Sequence, residues 1–257
     1  MKETMIKELT KVELKNPVMI EGLPGLGLVG KIAVRYLIRR LGAQKFAYII
    51  SPHFPYFVLV NKKGSVRLLR GIFYFWRNEK GENDLILFTG DSQAQTIEGQ
   101  YEISNKILDF AEQYNVKLVI TLGGYRVETK EKPKVIASAT SRTVLERALK
   151  ANAIISPMGS PIVGTAGLIL GLAPLRNIDA LCLLGETRGY LPDPKAAKSV
   201  LEVLLKLLNI NVDLSGMDEA IIKAESMVAR LQKVEERRIL QEELMRRSED
   251  KKITYIS

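Results

Sequence analysis

Val18-Met19-Ile20-Glu21-Gly22-Leu23-Pro24-Gly25-Leu26-Gly27-Leu28-Val29-Gly30 reads as a short strand that runs into a glycine turn and out into a helix. The helix continues through apolar positions Ile32, Ala33, Tyr36, Leu37 and Leu41. Gly25, Gly27 and Gly30 satisfy G-x-G-x-x-G in the strand-to-helix context that a dinucleotide site demands. Such a site also needs an acid about 20 residues further on to hold the ribose hydroxyls. Ser51-Pro52-His53 stands there instead, and no Asp or Glu occurs between Lys31 and Arg77. No nicotinamide cofactor is therefore expected, and the glycines read as permitting a tight turn and close packing of helix on sheet.

Outward from this unit, strand and helix patterns alternate. Phe46 to Ile50 reads as a second strand, and Tyr56 to Val60 with Val66 to Trp76 flank Asn61-Lys62-Lys63-Gly64, a hairpin signal. The consecutive Phe73, Tyr74, Phe75 and Trp76 suit a strand buried on both faces. Further strands are expected at Leu85 to Thr89, Leu118 to Leu122, Val135 to Ala139 and Ala180 to Leu184. Helices are expected at Ile97 to Tyr114, at Ser141 to Lys150 with Ser141 as N-cap, at Thr165 to Leu172 and at Pro194 to Leu208. Apolar strands alternating with helices imply an α/β fold: a mostly parallel mixed sheet covered on both sides in a three-layer α/β/α sandwich.

After Asn211 the chain turns charged and helical. Met217, Ile221, Ala224, Val228 and Leu231 form a seam of about two heptads, and then the seam stops. This divides the chain into an α/β/α core domain over 1–212 and a charged C-terminal helical arm and tail over 213–257. Residues 246–252 are almost wholly charged, yet Ile253-Thr254-Tyr255-Ile256-Ser257 turns apolar again, which reads either as a docking peptide on a polar tether or as an ordinary frayed terminus.

The 257 residues, 46% hydrophobic and 26% charged, suffice for one sizeable core and exclude a disordered, collagen-like or disulfide-scaffolded chain. Cys182 is the only cysteine, so no disulfide forms within the chain, no structural metal is expected, and a cytoplasmic location follows. Cys182 sits in Leu181-Cys182-Leu183-Leu184 as a small core residue, and His53 in Pro52-His53-Phe54-Pro55 as a structural donor. Met1 to Lys15 lacks the apolar segment of a secretory signal. Ala151 to Leu175 carries no charge but is interrupted by Pro157, Gly159, Pro161, Gly164 and Pro174, so no membrane span is expected.

The formal net charge is +9, and the acid-free segment from Lys31 to Arg77 holds ten cations, so one basic face carries the whole excess. A solvated surface, an acidic protein partner and nucleic acid are the three readings of that face. Nucleic acid is the least favoured, because stacking aromatics are not interleaved with the cations. The segments after three strands, around Asp91, Arg126, Glu186 and Arg188, are expected to gather at the carboxyl edge of the sheet. There they form either a polar ligand pocket or a mutually neutralised set. A nucleoside- or phosphate-binding hydrolase is the alternative function this cluster supports, although no His base or nucleophile accompanies it.

Glu21-Gly22-Leu23-Pro24-Gly25-Leu26-Gly27-Leu28-Val29-Gly30, followed by Gly164-Thr165-Ala166-Gly167-Leu168-Ile169-Leu170-Gly171 and Gly185-Glu186-Thr187, resembles the family of proteasome assembly chaperone two and its archaeal homologues. The resemblance covers about Pro17 to Leu208. It implies a sandwich similar to the purine nucleoside phosphorylase fold, no catalytic centre and no cofactor. It also implies a homo-oligomer, a tetramer or pentamer, that binds proteasome α subunits and aids their assembly. In that family a hydrophobic-Tyr-X ending inserts between neighbouring α subunits. The residues expected to bind that partner are Ile253, Tyr255, Ile256 and Ser257, with Tyr255 third from the end rather than penultimate.

Overall fold

The computed structural model describes residues 1–128 and 132–228. The chain divides into two compact units, Met1–Leu214 and the part from Ser215 onward. The first unit carries strands β1 (Met5–Glu8), β2 (Val18–Glu21), β3 (Gln44–Ile50), β4 (Val58–Val60), β5 (Val66–Leu68), β6 (Gly71–Trp76), β7 (Leu85–Gly90), β8 (Leu118–Arg126), β9 (Val135–Ala139), β10 (Ile154–Ile155) and β11 (Asp179–Thr187). Its helices are α1 (Val29–Leu41), α2 (Ile97–Gln113), α3 (Arg142–Lys150), α4 (Thr165–Leu172) and α5 (Pro194–Leu208).

Nine strands form one mixed sheet in the order β1-β3-β6-β7-β2-β8-β11-β9-β10, and β4 with β5 forms a separate two-stranded sheet. The centre, β7-β2-β8-β11, is parallel. These strands are apolar throughout because helices cover both faces: α1, α3 and α5 pack together on one side, α2 and α4 on the other. The larger core lies on the α2 side, where Met19, Phe46, Phe73, Phe88, Ile107 and Phe110 are buried together. Phe73 stacks at 4.4 Å from Phe88 and 4.5 Å from Phe110, centroid to centroid.

Three local expectations are corrected. Val66 to Trp76 is not one strand: it breaks after Leu68, so that β5 completes the hairpin with β4 while β6 enters the main sheet between β3 and β7. Of the aromatic run only Phe73 is buried; Tyr74 and Trp76 are half-buried on the α1 side of the sheet, and Phe75 is half-buried at the margin of the α2-side core. Ser141 does occupy the N-cap position of α3, but its buried hydroxyl accepts no bond from the first turn. The caps that do bond are Thr96, which accepts from the Gly99 amide, and Asp193, which accepts from the Ala196 amide.

The glycines of the opening motif work mainly by having no side chain. A Cβ on Gly30 would stand 2.1 Å from the Leu122 carbonyl oxygen, and one on Gly22 would stand 2.3 Å from the Gly30 carbonyl oxygen. Gly27 additionally needs its positive φ of 59°. In the second unit, a 3-10 turn at Ser215–Met217 leads into helix from 218 to 228, the last residue described. Met217 is buried and Ile221, Ala224 and Val228 are half-buried while the positions between them are exposed, so burial follows the seam; Leu231 lies outside the described residues.

Gly30→Ala is expected to destabilise the protein by roughly 1–3 kcal/mol or more, since backbone cannot yield as a side chain can. Gly171→Ala, in α4 with nothing within 4 Å of the new methyl, is expected to stabilise by about 0.5–1 kcal/mol. Urea unfolding of the two variants checks both signs.

Candidate functional site

At the carboxyl edge, β8 and β11 run further than their glycines suggest. Gly123, Gly124 and Gly185 lie within paired strand, with Gly185 opposite Gly124 and Thr187 opposite Arg126. The expected loops after Leu122 and Leu184 are therefore strand, which holds Arg126 and Glu186, while Asp91 and Arg188 each stand one residue past the end of a strand. Asp91 accepts both guanidinium nitrogens of Arg67, at 2.5 and 3.0 Å, and the Arg70 amide at 3.0 Å. The Glu186 carboxylate accepts from the Lys134 amide at 3.0 Å. Arg188 faces Glu128 at 3.6 Å, and Arg126 lies over the Tyr190 ring at 4.7 Å and bonds its hydroxyl. Each is neutralised or satisfied by a different partner, and the structure does not bring the four together into one pocket.

The start of α1 is closed over as well. The Gly27 amide donates to the Gly189 carbonyl, the Asp193 amide donates to the Gly27 carbonyl, and the Thr187 hydroxyl donates to Asp193 at 2.8 Å. Gln93 fastens the opposite side, donating to the Pro24 carbonyl at 2.7 Å and accepting from the Thr165 amide at 3.1 Å. Exposed apolar side chains stand nearby among charged ones such as Arg126: Leu26 is 41% exposed, Tyr190 69% and Val163 78%.

His53 ties three segments. One ring nitrogen lies 3.0 Å from Glu102 and the other 3.1 Å from the Thr96 hydroxyl, while Glu102 also accepts the Thr4 amide at 2.7 Å. Those bonds, first of all the one from Thr4, hold the Glu102 carboxyl below its ordinary range. The cluster secures the chain ahead of β1 to α2. Cys182 is fully buried, which pushes its thiol up to about 12. Among the described residues no group of three or more His, Cys, Asp or Glu could hold a metal ion.

The acid-free segment acquires geometry that its sequence did not disclose. Lys31, Arg35 and Arg39, spaced four apart on α1, line one wall of a cavity of about 370 Å³. Tyr74 on β6, Asp91 after β7 and Arg67 on β5 line the others. Arg70 and Lys45 lie beside it, stacked on the Tyr48 ring at 5.6 and 5.2 Å. The signal that could have located this site was the i, i+4, i+8 spacing of cations next to the buried stripe of α1. The expected docking residues, Ile253, Tyr255, Ile256 and Ser257, lie outside the described residues.

One buried acid stands apart from every site. Glu21 is 1% exposed; one carboxyl oxygen accepts the Leu23 amide at 2.9 Å and the other has no partner. Burial pushes its pKa up to about 8 from an ordinary value of 4.5. Between those two values the folded chain holds a proton that the unfolded chain releases, so stability falls as pH rises through that window. The melting temperature should drop from pH 5 to pH 8 by at least about 2–4 °C on Glu21's account, the shift that about 1 kcal/mol gives in a chain of this size. Glu21→Gln should remove that part of the slope in a calorimetric pH series.

A model of the PAC2 family matches residues 19–234. An uncharacterized protein of Methanocaldococcus jannaschii is 36% identical over 224 residues, covering 87% of this chain and 86% of the relative. Among solved structures, Pyrococcus furiosus PbaB, described as an archaeal proteasome activator, superposes with a TM-score of 0.87 at 39% identity, covering 90% of this chain and all of that one. Pyrococcus furiosus PbaA, described as an archaeal homolog of proteasome-assembly chaperone, gives a TM-score of 0.72 at 30% identity, covering 91% and 99%.

Proposed function

Because the chain belongs to the PAC2 family, we propose that it is a proteasome-assembly-chaperone-like protein, a non-catalytic factor that works by binding proteasome subunits. The observation that carries this reading is the similarity to PbaB at 39% identity over almost the whole described fold. The residues of the carboxyl edge support it too, since Asp91, Arg126, Glu186 and Arg188 are each tied to a separate partner. The partners in this reading are α subunits. In this reading the contacts are made by the terminal Ile253, Tyr255, Ile256 and Ser257.

Self-association completes the mechanism, because several linked weak peptides bind together far more tightly than one. A face suited to it is the hairpin of β4 and β5. Val58 pairs with Leu68 and Val60 with Val66, and all four point outward, between 46% and 67% exposed. A lone two-stranded sheet is marginal in water, and an uncovered aliphatic face of this kind favours a second copy of itself.

Deleting Ile253 to Ser257 is expected to weaken association with purified α subunits at least ten-fold while leaving the oligomer's mass unchanged; undiminished binding would exclude the tail from the contact. Val60→Lys with Val66→Lys should lower the mass measured by light scattering without loss of the circular dichroism of the fold. An unchanged mass would move the self-contact elsewhere, for instance to the carboxyl edge.

A further inference from the structure

The cavity between α1 and β6–β7 is lined by cations far in excess of acids. Lys31, Arg35 and Arg39 make no hydrogen bond or ion pair with another described residue, and Asp91 has both oxygens occupied by Arg67 and the Arg70 amide. Residues four apart on a helix stand about 6 Å apart along its axis, and like charges at that spacing repel. The Arg70 Nε is buried without any partner. Three cations that make no ion pair among the described residues line one concavity, with the orphan Arg70 N–H beside it rather than in its lining, an arrangement suited to an anion.

We infer that this cavity binds a compact small molecule carrying two or more linked phosphates. Its volume falls at the lower end of small-molecule sites, which range over about 300–1,000 Å³. Two of the lining cations, Arg35 and Arg39, are arginines whose planar forks match phosphate oxygens in pairs, while the Arg67 fork is taken by Asp91. Charge selects against a single phosphate, which carries only about −1.5 to −2 near neutrality and leaves the trio Lys31, Arg35 and Arg39 incompletely matched. Linked phosphates also reach along the stripe from one helical turn to the next. Burial raises the Tyr74 phenol's pKa, against the lowering effect of Arg70, Arg35 and Arg67, so the phenol remains a neutral donor at the cavity wall. Burial and the nearby arginines lower the ammonium of Lys45, the penalty expected of cations crowded without an anion. The lining includes none of the carboxyl-edge residues Arg126, Glu186 and Arg188, and the proposal does not rest on subunit binding.

The test is calorimetric titration of the full chain at 150 mM salt with sodium triphosphate, orthophosphate and a deca-glutamate peptide, in wild type, in Arg35→Gln with Arg39→Gln, and in Lys62→Gln with Lys63→Gln in the exposed hairpin turn. Triphosphate should bind saturably and at least ten-fold more tightly than orthophosphate. The α1 double variant should weaken it at least ten-fold, and the hairpin-turn variant should not. The unliganded α1 variant should also melt at a higher temperature than wild type at low salt, because repulsion has been removed; a merely structural role for those arginines would lower it. Equal binding by the α1 variant and wild type would mean an adventitious ion only and would overturn the site. So would a lowered melting temperature of the unliganded variant, or tighter binding of the glutamate peptide, which would give the face to an acidic protein segment.

Discussion

Helix α1 lies so near β8 that the Leu122 carbonyl oxygen occupies the place a Cβ on Gly30 would take. The rest of the architecture is arranged around that approach. It requires Gly22 to be bare as well, since its own Cβ would meet the Gly30 carbonyl, and so it commits the whole turn from Gly22 to Gly30 to the backbone alone. It also brings Leu26 over β8, where Gly124 must again lack a side chain because the Leu26 carbonyl oxygen would stand 2.6 Å from it. One short-range packing requirement therefore links Gly22 and Gly30 to Gly124, from two separate parts of the chain, and each is a glycine for the same steric reason.

The orientation of α1 follows from the same contact. Val29, Gly30, Ala33, Val34 and Leu37 face the sheet and are buried. Lys31 and Arg35 come one residue after two of them, rotated by about 100° around the axis, which carries them to the flank of the helix above β6 and β7. Across from that flank the sheet has no second helix, only the hairpin reached through Arg67. The basic character that the sequence assigns to a face becomes a basic concavity because a helix edge, a strand pair and a hairpin meet there without acids to balance them. Lys31 is partly dehydrated here while Arg35 and Arg39 stay exposed, so a bound anion acts most strongly on the Lys31 end of the stripe.

Most of the sandwich was legible in the sequence because its central strands are apolar on both faces and its helices carry clear stripes. β2 and α4 lie where the pattern puts their ends. The misplaced carboxyl-edge loops have one physical origin. Gly123-Gly124 and Gly185 look like strand endings, since glycine ordinarily marks turns, but here they sit opposite each other in parallel strands. Gly185 is bare because a Cβ would come within 2.9 Å of the Ala196 carbonyl oxygen on α5. Close approach from a distant helix leaves no trace in local sequence, and with the strands longer than they read, Arg126 and Glu186 left the loops in which a pocket was expected. Asp91 was correctly placed after its strand, but its partner Arg67 comes from a hairpin whose position no periodicity encodes.

Arg67 joins the two surfaces that distinguish this fold from a plain sandwich. On β5 it stands between Val66 and Leu68, so its side chain points inward where theirs point outward. Its pairing with Asp91 is strong enough that the Asp91 carboxyl stays below its ordinary range even though burial pushes the other way. The hairpin thus has one face of four aliphatic side chains open to a partner and, on the other, a guanidinium anchored over the cationic cavity. Because strand geometry alternates faces with each residue, a one-residue slip of β5 would exchange these roles, presenting Arg67 outward and an aliphatic side chain to Asp91. The ion pair therefore fixes the register of the hairpin as well as its place on the sheet, and it does so through specificity of arrangement, whatever its net contribution to stability.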